Sequence, residues 1–338
     1  MFISILVPIY NVEKYIGRCA RSLFEQTYPD IEYIFVNDCS PDNSIDVLES
    51  IINEYPQRKE NIRIIKHIVN RGLAAARNTG IDAAIGDFIM HVDSDDWLDI
   101  NAVRWLVEKQ METNADIVSG NAISHTKNGE KLLTEPDYAN KTEMINRLID
   151  SSLDHVIWRR LIRRSLYVDN NIHAKEGINI GEDWQVMPIL TYYATKFAKI
   201  DKCIYHYNRM NENSYTTAII EFNYKHYMQD IQSLEVLKEF FMDKSAVFNA
   251  TISKNIVVIC YSYLLISAAK KNKTYYKEIL VQLKNYAQKD TLADIGWNNR
   301  MKRIFDSHYQ LCRIHIIFAN LKTYIYNFII KGNKRLEK

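Results

Sequence analysis

The sequence predicts an α/β domain built on a mostly parallel sheet flanked by helices, followed by a C-terminal helical region. Three observations carry that reading. Over the first hundred residues, short runs rich in Ile, Val, Phe and Tyr alternate with segments at helical spacing, the order of a sheet with right-handed crossovers. The runs are apolar almost without interruption, as strands covered on both faces are. Ten Gly and six Pro in 338 residues are few against average usage of about 7% and 5%, so long regular elements joined by short turns are expected.

The strands are expected over Phe2–Ile9, Glu32–Val36, Ile62–Ile68 and Asp87–Val92. Between them, Val12–Gln26, Ser44–Tyr55 and Gly72–Ile85 are each long enough for a crossover helix. Tyr15, Cys19, Ser22, Leu23 and Gln26 outline one helical face, and Ser44 precedes Ile45, Leu48, Ile51 and Ile52 as a helix start does. Ala102–Thr113 adds a helix and Asp116–Ile123 a strand. After them come a turn at Thr126–Glu130, a helix from Thr142 and a basic cluster, Arg159, Arg160, Arg163 and Arg164. Beyond Glu221 the periodicity is helical throughout, with Ile231, Leu234, Leu237 and Phe241 on one face. Ile256–Ala269 is apolar nearly all round and suits the buried centre of a small bundle. The expected organisation is a domain over residues 1–218 and a helical region over 219–338.

Composition excludes several classes of function. The chain is 47% apolar and 25% charged, with 43 Lys and Arg against 41 Asp and Glu, so it is globular and gives no electrostatic reason to bind nucleic acid. Five scattered cysteines without a Cys-x-x-Cys pair point away from zinc and disulfides and towards a reducing compartment. Met1 runs directly into an apolar strand with no basic leader, which reads as structure and not as a signal peptide. No segment reads as transmembrane. No Gly-x-Gly-x-x-Gly follows the first strand and no Gly-Lys-Ser/Thr occurs, so a phosphate has to be held by side chains and a metal.

In open parallel sheets, ligands bind outside the carboxyl ends of the strands. The first strand ends in Pro8, Tyr10 and Asn11, the second in Asn37, Asp38, Cys39 and Ser40, and the fourth in Asp93, Ser94, Asp95 and Asp96. Turn-forming and capping would explain any one of these; three together argue for a site. Asp93 and Asp95, two apart in extended chain, project to one side, and carboxylates that close call for a hard divalent cation such as Mg2+ or Mn2+. The alternative is a helix cap ahead of Ile100–Gln110.

Taken in order, Val7-Pro8-Ile9-Tyr10-Asn11, Val36-Asn37-Asp38-Cys39-Ser40, Asn70-Arg71-Gly72 with Ala76-Arg77-Asn78-Thr79-Gly80, and Asp93-Ser94-Asp95-Asp96 resemble the opening of the family 2 glycosyltransferases. Gly181-Glu182-Asp183-Trp184, Trp158 and the stretch from Tyr205 to Ser214 extend the resemblance to about residue 215. It implies a GT-A fold, Rossmann-like, binding a nucleotide-diphosphate sugar. Pro8, Tyr10 and Asp38 would then contact base and ribose, with Asp38 reading the uracil edge. Arg77 would lie near the base or diphosphate and Asp93 near the ribose. Asp95 would hold Mg2+ or Mn2+, a duty Asp96 could share, and Asp183 would be the general base of an inverting transfer. Position 39 is usually Gly in that motif; Cys39 is strained there if the turn needs a positive φ. Arg159–Arg164 could steer a phosphorylated acceptor, or be a solvated helix face. His206 could complete a metal shell, or be a packed core histidine.

The acceptor implied is a saccharide or a lipid-linked saccharide. The rivals are a nucleotidyltransferase on a related fold and a non-catalytic sugar-binding protein. From Gly296 on, nine basic residues stand against Asp306 and Glu337, a net of +7. Ile314, Ile317, Phe318, Leu321, Ile325 and Phe328 form an apolar stripe there. Residues 300–338 therefore suit a helix lying on an anionic membrane, which makes the expected location cytoplasmic with a peripheral membrane contact.

Overall fold

The computed structural model describes residues 1–137, 140–211 and 224–286. It forms two compact units, one of residues 1–139 and 156–217, the other of residues 140–155 with the chain from 218 on. The basic stretch 300–338 lies outside the described residues.

The first unit opens with β1 (Ile3–Ile9), α1 (Ile16–Phe24), β2 (Ile31–Asn37), α2 (Ser44–Glu54), β3 (Ile62–Lys66), α3 (Leu73–Ala83) and β4 (Phe88–His91). These are the expected elements, trimmed by a few residues at their ends. β5 (Trp97–Leu98), α4 (Ala102–Thr113), β6 (Ile117–Thr126) and β7 (Gly129–Leu133) follow. The expected turn at 126–130 is thus the tip of the β6–β7 hairpin. The unit closes with β8 (Arg160–Arg163), α6 (Arg164–Asp169), α7 (Glu182–Tyr193) and β9 (Phe197–Asn208).

The strands form one sheet in the order β3-β2-β1-β4-β8-β6-β9-β5, with β7 on β6. β3, β2, β1 and β4 run parallel, and β8 enters antiparallel between β4 and β6. The chain leaves β1 towards β2 on one side and returns as β4 on the other. The crevice where a parallel sheet takes a ligand therefore lies at the carboxyl ends of β1 and β4. Ile3, Ile5, Val7 and Ile9 pack with Leu23, Phe24, Tyr33 and Phe35 in the main core. On the other face, Leu6 meets α3 at Gly80, where an added Cβ would stand 3.3 Å from the Leu6 side chain.

Arg159 and Arg160 depart from both sequence-based readings of the basic cluster, while Arg164 begins α6 and is part exposed. Arg160 and Arg163 lie on β8 and not on a helix, and Arg159 and Arg160 are fully buried. Both pair with buried Glu135, at 2.9 and 3.1 Å, and Arg163 pairs with Asp116 at 2.8 Å. Two guanidiniums can be buried here because a carboxylate is buried with them. They form an internal brace, neither a solvated face nor an acceptor funnel.

In the second unit, α9 (Ala246–Ala269) is the central helix, against which α5 (Lys141–Ile149), capped by Asn140, α8 (Tyr224–Phe241) and α10 (Lys273–Tyr286) pack. Asn255 Nδ2 donates to the Ile149 carbonyl at 2.8 Å. Ile256, Val257, Cys260, Leu264 and Ala268 are fully buried, as a bundle centre requires. α9 is longer than the 14-residue apolar run suggests. By length and composition its 246–268 stretch could cross a membrane, with 44% of an 18-residue window buried in the protein; the core helix of a bundle meets the same description.

Asp230 of α8 accepts from the Tyr263 hydroxyl at 3.1 Å, and burial pushes its carboxyl up to about 7. A raised folded-state value means that its contribution to stability is complete below the unfolded value near 4 and lost as pH rises through about 7. Asp230→Asn, which carries no charge, is therefore expected to melt at a temperature that draws ahead of the wild type between pH 4 and 7 and stays a few degrees ahead above that. Parallel melting curves across this pH range refute it.

Candidate active site

The first wall of the site is the end of β2. Asp38 is almost fully buried. Its Oδ1 accepts from the Arg71 amide at 2.8 Å and its Oδ2 from the Gly72 amide at 2.7 Å. His67 Nδ1 lies 2.6 Å from Oδ1, and His67 Nε2 lies 2.9 Å from the Thr79 hydroxyl. Asp38 thus satisfies amides just ahead of α3, while Asn179 Oδ1 accepts from the Ala74 amide in the first turn, at 3.1 Å. A helix start has no carbonyls of its own for these amides, so the sequence supplies two caps from distant segments. Gly72 has φ +91°, and a Cβ there would stand 2.3–2.6 Å from the Asn179 side chain. Gly72→Ala is expected to cost on the order of 1–3 kcal/mol of stability; an unchanged denaturation midpoint refutes it. Cys39 does sit at positive φ, +57°, the left-handed conformation that glycine would adopt without strain.

α3 carries Arg77 into the interior, 6% exposed. Its Nη2 pairs with Asp93 Oδ1 at 2.8 Å and its Nε with Glu182 Oε1 at 3.2 Å, while Nη1 is buried without a partner. Burial opposes the charge, but Asp93, Glu182 and Asp183 outweigh it and hold Arg77 above its ordinary value. Glu182 and Asp183 occupy the first turn of α7, after Gly181 at φ +78°, where the helix dipole favours carboxylates. Glu182 is buried, and burial together with Asp183 pushes its carboxyl up to about 8 against the pull of Arg77. Asp183 is half-buried, and its Oδ1 accepts from the Trp184 amide at 2.8 Å.

The acidic turn after β4 is bolted to β9. The Tyr205 hydroxyl donates to Asp96 Oδ2 at 2.7 Å and accepts from the Asp93 amide at 3.0 Å. The Asn208 amide donates to Asp96 Oδ1 at 2.7 Å, and its side chain reaches the Asp95 carbonyl at 3.2 Å. Asp96 is fully buried with both oxygens engaged, which leaves Asp95 as the ligand candidate of the pair. Asp95 Oδ2 accepts from Asn211 Nδ2 at 2.8 Å; burial and then Asp93 push its carboxyl up to about 6. Crowded, desolvated carboxylate oxygen is the donor chemistry of a hard divalent cation, so the residues fit Mg2+ or Mn2+. Among the described residues, no group of three or more His, Cys, Asp or Glu is arranged to hold a metal ion.

The structure therefore joins Arg77, Asp93 and Glu182 by ion pairs, sets Asp183 one residue further on, and puts Asp95 in the same acidic turn as Asp93. Asp38 lies at the end of β2 and is hydrogen-bonded to the loop that leads into α3. Pro8 is buried at the end of β1, and Tyr10 stands 46% exposed beyond it. His206 is packed: it stacks on Trp97 with ring centroids 5.0 Å apart and bonds His125 at 3.0 Å. Burial, then His125, lowers its pKa. Sequence reasoning missed His67, Asn179, Asn208 and Asn211; each acts through a partner at least 29 residues away, which no local pattern reveals.

A parallel sheet whose strand ends carry this carboxylate turn, with a buried Arg–Glu pair beside it, defines a glycosyltransferase of the GT-A class. The likeness to solved structures supports the fold. Staphylococcus aureus TarS residues 1–349, in complex with UDP-GlcNAc, matches with TM-score 0.67 at 18% identity over 97% of this chain and 92% of that one. The mannosyltransferase PcManGT from Pyrobaculum calidifontis, in complex with GDP-Man and Mn2+, matches with TM-score 0.51 at 13% identity over 94% and 87%. The sequence profile of glycosyl transferase family 2 covers residues 4–168. The uncharacterized glycosyltransferase EpsJ of Bacillus subtilis is 34% identical over 243 residues, 68% of either chain. The poly(ribitol-phosphate) beta-glucosyltransferase of Bacillus spizizenii is 34% identical over 200 residues, 58% of this chain and 30% of that one. The chain belongs to glycosyl transferase family 2, and it is an enzyme that transfers sugars.

Proposed function

We propose that the protein is an inverting glycosyltransferase that moves a sugar from a UDP-sugar to a hydroxyl of a glycan or lipid-linked saccharide in cell-surface polysaccharide synthesis. The observation that carries this is the convergence of Asp93, Asp95, Arg77 and the Glu182-Asp183 pair outside the ends of parallel strands. UDP-GlcNAc in the TarS complex and the poly(ribitol-phosphate) beta-glucosyltransferase relative support the donor class and the setting.

In this reading Tyr10 and Pro8 border the base. Asp38, its oxygens both bonded to the 71–72 loop, serves the same pocket by holding that loop in place. Asp93, with Oδ1 committed to Arg77, offers Oδ2 to the ribose. Asp95 and substrate phosphate oxygens hold Mg2+ or Mn2+, which, when bound, stabilises the charge that develops on the departing diphosphate. Asp183 takes the proton of the acceptor hydroxyl, a poor nucleophile until it is deprotonated. One base and a single displacement invert the anomeric centre. In this reading the enzyme works in the cytoplasm, and the net positive charge of the 300–338 sequence favours an anionic leaflet.

The test is incubation with a panel of UDP-sugars, Mn2+ and saccharide acceptors. Acceptor-dependent release of UDP is the expected result. Transfer of UMP with release of sugar 1-phosphate instead would make the protein a nucleotidyltransferase, and binding without turnover would make it a sugar-binding protein.

A further inference from the structure

Glu182 has no task in the transfer as described, yet it is among the most constrained carboxylates in the molecule. It is 6% exposed at the start of α7, on Arg77 Nε, and the same guanidinium holds Asp93 through Nη2. Arg77 itself is 6% exposed, so neither pair is screened by water as surface pairs are. A planar guanidinium gripped at two nitrogens has its plane fixed. Asp93, 26% exposed, is the one member of the chain that a ligand can reach.

We propose that Glu182 is a positioning residue of the transfer: through Arg77 it fixes the Asp93 carboxylate that meets the donor. The proposal rests on the donor reading given above. Its consequence is that two neighbours on one helix turn serve the two substrates, Glu182 the donor through Arg77 and Asp183 the acceptor directly. Removing Glu182 leaves Arg77 held at Asp93 alone, free to swing with it, and the donor site loses its preset geometry. The raised Glu182 carboxyl agrees with a group buried for its geometry at the expense of its charge.

The experiment uses the full chain, UDP and Mn2+, with calorimetry for affinity and steady-state kinetics for turnover. Glu182→Ala is expected to weaken UDP about tenfold, the scale of one lost hydrogen bond to a charged group. Glu182→Gln keeps an oxygen for Arg77 Nε and is expected to restore most of that affinity. The readout that a general loss of structure would not reproduce is the cycle with Asp93→Asn: once Asp93 no longer pairs with Arg77, Glu182→Ala is expected to cost no further UDP affinity. If Glu182→Ala does not fold, the cycle is run with Glu182→Gln, whose smaller loss must vanish in the same background. Additive losses overturn the proposal. So does unchanged UDP affinity with turnover lost, which would make Glu182 the base. A wild-type protein that binds no UDP overturns the donor reading and this one with it, and is told apart because it is seen before any variant is made.

Discussion

Asp183→Asn is expected to lower turnover by about 10²–10⁴ while leaving UDP-sugar affinity near the wild-type value. The substitution keeps size and hydrogen bonding, and its oxygen can still accept from the Trp184 amide as Asp183 Oδ1 does at 2.8 Å. It removes the capacity to take a proton and, with it, the negative charge. Glu182 cannot stand in, because it is buried and tied to Arg77. Steady-state kinetics beside calorimetry with UDP decides the matter. Near-normal turnover removes Asp183 from the role, and so does a loss of UDP binding as deep as that of an Asp95 variant.

Asp95→Ala is expected to abolish the metal-dependent part of UDP binding and with it measurable transfer, leaving the fold intact. The Asn211 contact and the burial of Asp96 leave Asp95 as the carboxylate of the pair with an oxygen to spare. The fold is expected to survive because the turn is held to β9 by Asp96, Tyr205 and Asn208, not by the Asp95 side chain alone. With the carboxyl near 6, a cation competes with a proton there, so Mn2+ affinity is expected to fall as pH drops from 7 to 5. UDP affinity that rises equally with Mn2+ in wild type and variant sinks the assignment.

The parallel half of the sheet was legible because β1, β2 and β4 are apolar on both faces and each crossover helix has its own periodicity; β3, at the sheet edge, buries none of its residues fully. The acidic strand ends were legible because the pattern Asp-Ser-Asp-Asp is local. What stayed hidden depends on partners far along the chain. Four arginines within six residues read as a surface because nothing nearby neutralises them; Glu135, 24 and 25 residues earlier, buries two of them. Asp95 and Asp96 are equivalent on paper, and only Tyr205 and the Asn208 amide tell them apart. Asp38 reads as a ligand contact, but its work as a remote helix cap requires knowing that residues 71 and 72 return to it.

The interleaved order of the sheet bears on how the enzyme is made. β4 takes its second neighbour from β8, about seventy residues later, and the acidic turn receives its bolts from β9, later still. A nascent chain that has emerged only as far as α4 has its four parallel strands but leaves β4 with an unpaired apolar edge, the kind of edge that joins to other chains. Its candidate metal-binding turn exists as sequence and lacks the contacts that shape it. Binding competence therefore arrives late, with the emergence of residues near 211 and not with the motif that announces it, and until then the growing chain is at its most exposed to association with its neighbours.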